Sequence, residues 1–145
     1  MEMTFEKSVD VLVKAYLDNT LKNMDPCGCA VGNLLKACGI QTPNKWYSAL
    51  SIKRTYKNQI APFYSLKDLD EGMEQLSCIS YTFDQIDLIE RTFERACIYQ
   101  RFTNRSNDTD YFEPLMAVVD VLAEIHGVDL ETKKEAKSLF VKECV

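Results

Sequence analysis

The sequence predicts an all-helical domain, a compact bundle of about six helices with one irregular basic connector. Apolar residues recur three and four apart along most of the chain, and helix-start and helix-stop signals bracket those stretches. Outside the connector no segment sustains the alternation of a strand. A chain of 145 residues, 46% hydrophobic and 27% charged, has enough apolar material for one core and too little for two. Residues 1–145 are therefore read as a single domain.

The first helix is marked by Phe5, Val9, Leu12, Val13 and Tyr16 on one side, Lys7, Lys14 and Asp18 on the other, and Thr4 as cap. In the second, Asp25 reads as N-cap, Pro26 as first helical residue and Gly39 as the stop, with Gly28 and Gly32 inside. A short helix is read at Asn44 to Ser51, then an irregular connector from Arg54 to Ser65 containing Pro62. A weaker helix follows from Leu66 to Leu76. Thr82 and Gln85 have the spacing of a capping box, opening a helix with Phe83, Ile86, Ile89, Phe93 and Cys97 on one side. Asp110 and Glu113 repeat that spacing before a helix with Pro114 in its first turn and His126–Gly127 at its end. Its apolar residues Tyr111, Leu115, Val118, Val119, Leu122 and Ile125 cover so much of the circumference that it should be central. A last helix from about Leu130 to Glu143, with only Ala136, Leu139 and Phe140 on its apolar side, should pack at the periphery.

Charge is strongly segregated along the chain. Between Pro26 and Lys67 there are six basic residues and no acidic one, whereas Asp68 to Glu94 holds eight acidic residues against Arg91. The net charge of -5 disfavours nonspecific binding to nucleic acid or an anionic membrane. The longest apolar run, Leu115 to Val119, is far below the roughly 20 residues of a membrane helix. The acidic start MEMTFEKSVD does not read as a secretory signal, so a cytoplasmic location with no membrane partner is expected. Six cysteines at 27, 29, 38, 78, 97 and 144 then read as reduced thiols, most of them buried.

Three segments, CGCAVGN at 27–33, YTFDQIDLIERTFE at 81–94 and LMAVVDVLAEIHG at 115–127, resemble a group of small uncharacterised proteins from Bacteroidetes bacteria and their phages. The resemblance covers about a third of the chain. It implies an accessory or phage-linked role rather than a metabolic one, and supplies no catalytic residues.

Four groups of residues could carry chemistry. Cys27 and Cys29, if in a helix's first turn, would have their thiols acidified by the helix dipole, but two positions apart they diverge by about 200°, which is poor for a metal. The alternative is that Gly28, Cys29, Ala30 and Gly32 are small because another segment packs closely. The sole histidine, His126, is the only base available to a Cys-His or Ser-His scheme, and equally a C-terminal helix stabiliser. Glu113, Asp120 and Glu124 form one stripe that Glu90 could supplement in a metal-dependent hydrolase; a solvated polar strip explains them as well.

The fourth group is the best functional clue. Lys45, Trp46, Tyr47, Lys53, Arg54, Tyr56 and Lys57 interleave cations with aromatics, followed by Phe63 and Tyr64. Aromatic faces stack on bases while lysine and arginine meet phosphates. The segment is thus read as the binding site of an anionic small molecule, a nucleotide or nucleic acid, in a non-enzymatic protein. No cofactor or metal is implied. Internal neutralisation by the acidic stretch is the competing explanation. Two further readings stand: an interaction module that docks a partner or a second copy, and a thiol or metal-carboxylate hydrolase using Cys27 or Glu90, Asp120 and Glu124.

Overall fold

The computed structural model describes residues 2–56, 66–103 and 110–129. The chain is all-α: among the described residues there are six helices and no strand. They are α1 (Phe5–Leu17), α2 (Ala30–Ala37), α3 (Trp46–Tyr56), α4 (Leu66–Ser77), α5 (Phe83–Thr103) and α6 (Phe112–His126). The last helix, expected from Leu130 to Glu143, and the connector from 57 to 65 lie outside the described residues. None of these helices is long and apolar enough to cross a membrane.

α6 is the hub, as its wide apolar surface requires. Leu115, Met116, Val118, Val119, Leu122 and Ala123 are buried, and the helix packs against both α5 and α1. α2 bridges α1 and α5, while α3 and α4 form a separate pair. On α5 the buried line is Ile86, Ile89, Phe93 and Cys97, as the periodicity predicts, but Phe83 at its head is exposed. The helix starts where Thr82 and Gln85 exchange the two hydrogen bonds of a capping box.

Gly127, at φ 67, lets the Val128 amide reach back to Ala123 and ends α6; Gly39 ends α2 at φ 103, with Ile40 bonding Leu35. In α1 the buried line runs Phe5, Ser8, Leu12 and Ala15, rotated from the expected one so that Val9, Val13 and Tyr16 flank it. At the start of α6, Asp110 bonds the Phe112 amide instead of capping the helix, and Tyr111 takes the N-cap position without a side-chain bond.

Two expectations about the region of the site need correction. α2 begins four residues later than the Asp25–Pro26 signal suggests. Asp25 does bond the backbone, accepting from the Cys27 amide, and its carbonyl accepts from Gly28 and Cys29, but the result is a turn. Buried Asn33 explains why: its Nδ2 donates to the carbonyls of Thr20, Gly28 and Cys29, which holds Cys29 extended at ψ 179. Cys29 is then the N-cap, its Sγ accepting from the Gly32 amide at 3.4 Å. Gly32 lies so close under this turn that a Cβ would run into the backbone of Pro26 and Cys27, which is the close approach the small residues imply.

α3 also differs, continuing as helix through Tyr56, past Arg54, where the connector was placed. Its first turn is stabilised from outside. Gln75 of α4 accepts from both the Lys45 and Trp46 amides through Oε1, at 3.0 Å each. Gly72 permits this pairing, since a Cβ there would strike the Lys45 carbonyl and Ala49.

Candidate functional site

A cavity of about 370 Å³ opens between the 24–26 turn, the beginning of α3 and the middle of α5. Each wall has a local cause. Trp46, inaccessible to solvent, is anchored by its indole Nε1, which donates to the Pro26 carbonyl at 2.8 Å. Tyr47 follows it and meets its ring at 84°, centroids 5.7 Å apart, with 43% of the residue exposed. From α5 come Glu90, Glu94 and Ile98, four residues apart and hence on one side of the helix. Met24 completes the rim.

Met24 stands in the left-handed region, at φ 58, and is 75% exposed. A non-glycine residue there is unusual. Glu94 secures it: both carboxylate oxygens accept from the Met24 amide, at 3.0 and 3.2 Å. Next to it Asn23 is tied to Tyr111, whose hydroxyl donates to Asn23 Oδ1 and accepts from its amide, and the Tyr111 ring stacks on Phe93. The turn is thus fastened to α5 and to the start of α6.

The described lining is acidic. Asp25, Glu90 and Glu94 face the cavity, and among the described residues no lysine or arginine lines it. Glu90 is only 6% exposed. Cys29 also lines it, and burial pushes its thiol up to about 12, with Glu94 and Glu90 adding to the rise against the lowering effect of the Gly32 amide. A thiol in that state stays protonated at neutral pH and is a poor nucleophile.

Of the seven residues named from sequence, Trp46 and Tyr47 are brought into this cavity. Lys45 is half-buried next to them but does not line it. Lys53, Arg54 and Tyr56 belong to α3, and Lys57 lies outside the described residues. The sequence reading missed Met24, Glu94 and Ile98. The spacing Glu90, Glu94, Ile98 was a visible clue; the contribution of Met24 was not, because it depends on a turn closed by a distant carboxylate.

The other candidates separate cleanly. Cys27 sits in the turn before α2, not in its first helical turn. Glu113 and Glu124 are exposed and Asp120 is half-buried; among the described residues no three metal-ligating groups converge. His126 forms part of a hydrogen-bond chain: its Nε2 and the Tyr81 hydroxyl share a bond of 2.7 Å, and that hydroxyl and Ser8 Oγ share one of 2.6 Å. Phe5 and Tyr81 both meet its ring in edge-type packing. Ser8 is wholly buried, so a Ser-His reaction with substrate has no access there. Comparison of the chain with protein-family models, with curated proteins and with solved structures gave no match.

Proposed function

We propose that this chain is a non-enzymatic binding protein, a cytosolic accessory factor, whose small ligand occupies the cavity beside Trp46 and Tyr47. One observation supports this above the rest. Of the seven large hydrophobic residues exposed among the described residues, three, Met24, Tyr47 and Ile98, gather around this opening. A concave site of a few hundred cubic ångströms with an apolar rim and a few fixed polar groups is the usual form of a small-molecule site. The capped helices beneath it supply rigidity, and the resemblance to phage-linked proteins suits an accessory role.

Native mass spectrometry of the protein purified from cells tests the reading. A retained mass of a few hundred daltons, lost in Tyr47→Ala, supports it. Bare protein, together with unchanged Trp46 fluorescence across a panel of metabolites, overturns it. Trp46 is the sole tryptophan, so its emission reports on this cavity directly.

A second reading keeps the anionic ligand, nucleotide or nucleic acid, suggested by the basic aromatic segment. It rests on the charge of Lys45, Lys53, Arg54 and Lys57 and places the contact along α3 outside the described lining. Replacing Lys53, Arg54 and Lys57 with glutamine should then abolish salt-dependent binding of a nucleotide or a short single strand without unfolding the protein.

A further inference from the structure

We propose that Cys38 and Cys78 are a redox pair, two thiols that a peroxide converts to a disulfide joining the end of α2 to the segment after α4. The inference is independent of the binding role proposed above. Cys38 is the C-cap of α2, and Cys78 directly follows Ser77, the last residue of α4. Both are thiols in no disulfide, and both are half-buried, so a small oxidant reaches them. Hydrogen bonds pin the stretch 38–45 against 75–80 at both ends. At one end Gln75 Nε2 donates to the Thr42 carbonyl at 3.4 Å, and its Oε1 accepts from the Lys45 amide at 3.0 Å. At the other end Met3 is the connector. Its amide donates to Ser80 Oγ at 2.8 Å, and its Sδ accepts from the Cys38 thiol at 3.9 Å. Cys38 and Cys78 fall between these pins. Electrostatics agree: burial raises the Cys38 thiol and the charge of Cys78 adds to the rise, an effect that needs proximity. The other described cysteines are placed differently, with Cys27 and Cys29 at the opposite end of α2 and Cys97 buried on α5.

The chemistry is that of a dithiol and hydrogen peroxide. One thiolate of the pair attacks the peroxide and its O–O bond breaks, leaving a sulfenic acid on that sulfur and releasing water. The second sulfur then attacks the sulfenic sulfur; the S–O bond breaks, and the oxygen leaves as a second water with the remaining thiol proton. Two thiols and one hydrogen peroxide thus give one disulfide and two waters, each sulfur losing one electron and the peroxide gaining two. The new bond closes a loop over residues 39–77, which holds all of α3 and α4 and the sole tryptophan. Closing a loop of that length restricts the unfolded chain, so the oxidised protein gains stability where the native geometry accepts the bond. It also fastens the α3–α4 pair, with Trp46 and Tyr47, to α2.

The test treats the folded full-length protein, dilute and reduced, with a small excess of hydrogen peroxide, blocks remaining thiols with N-ethylmaleimide in urea, and digests it without reductant. The intact monomer should lose two hydrogens, and the digest should yield one bridged peptide pair carrying Cys38 and Cys78, released by dithiothreitol. Cys38→Ser and Cys78→Ser should each abolish that bridge while keeping the fold by circular dichroism. The midpoint of urea unfolding, followed by Trp46 emission, should be higher for the oxidised than for the reduced protein. A bridge formed mainly through Cys27 or Cys144, or sulfinic acid on Cys38 or Cys78 with no bridge, overturns the pairing. So do thiols that survive in the folded protein under treatment that oxidises the urea-unfolded chain. A lowered midpoint after oxidation also overturns it, because the bond then forms only by distorting the fold. Should either serine variant fail to fold, the peptide map and the midpoint of the unaltered chain still decide.

Discussion

Two polar clusters lie among the described residues, and they differ in whether a cavity opens among their groups. Around His126 the polar atoms are consumed by one another: Ser8 from α1, Tyr81 from the segment before α5 and His126 from the end of α6 form one hydrogen-bond chain. It lies beside an open cleft of about 510 Å³, yet Ser8 is buried and the Tyr81 hydroxyl bonds on both sides. Around Trp46 the carboxylates, one ring and two apolar side chains instead face a common space. A cluster with a histidine and a serine is thus a structural tie between three elements, and a cluster without either is the better binding candidate. Residue type alone would have ranked them the other way.

The comparison is most severely tested at Phe93, which stacks on Tyr111 and so supports the Asn23–Met24 turn. Phe93→Ala should cost about 3–5 kcal/mol in urea unfolding. Any remaining folded protein should have lost the response of Trp46 to cavity ligands, whereas the bond between His126 and Tyr81 should survive, as read from the histidine ring signals in NMR.

At the other cluster, Tyr81→Phe removes the hydroxyl that serves both neighbours. With Ser8 and His126 left partly unsatisfied, stability should drop by about 1–3 kcal/mol. Ligand response at Trp46 should be unchanged. A coupled loss of both would show that the two clusters are not independent.

pH sharpens the contrast through Cys29. Its folded thiol ionises only at about 12, against an ordinary value of 9.0, because burial disfavours the charged form. Below pH 9 both folded and unfolded chains hold that proton and the thiol contributes fully to stability. Between 9 and 12 the unfolded chain has lost it while the folded chain retains it, so stability falls as pH rises, by at most about 1.4 kcal/mol per pH unit from this group. Tyr81, also raised by burial, acts in the same direction. Urea titrations from pH 8 to 11 on the protein and on Cys29→Ala separate the two: the variant should show a shallower alkaline decline. Iodoacetamide at pH 8 should leave native Cys29 unlabelled.

The smallest effect is expected at Gln75, which caps α3 from α4. Gln75→Ala should cost about 1 kcal/mol. It should also loosen the first turn of α3, weakening ligand binding at Tyr47 more than a surface change of equal stability cost.

The helical class, the capping box at Thr82 and Gln85, the stops at Gly39 and Gly127 and the central position of α6 could all be read from spacing. They are local properties, fixed by which residues share a helix face and which can bond or bend the backbone within one turn. The placement of Trp46 and Tyr47 beside a common opening was half legible, because their aromatic character marked them but their neighbours did not. What long-range contacts decided is everything that joins segments far apart. Asn33 moved the start of α2 by holding carbonyls from Thr20, Gly28 and Cys29, and Gln75 capped a helix 29 residues away. Glu94 reached back 70 residues to close the turn at Met24. The same folding set carboxylates from an acidic segment beside aromatics from a basic one. Spacing fixes direction around one helix axis; only packing determines which face of another element stands opposite.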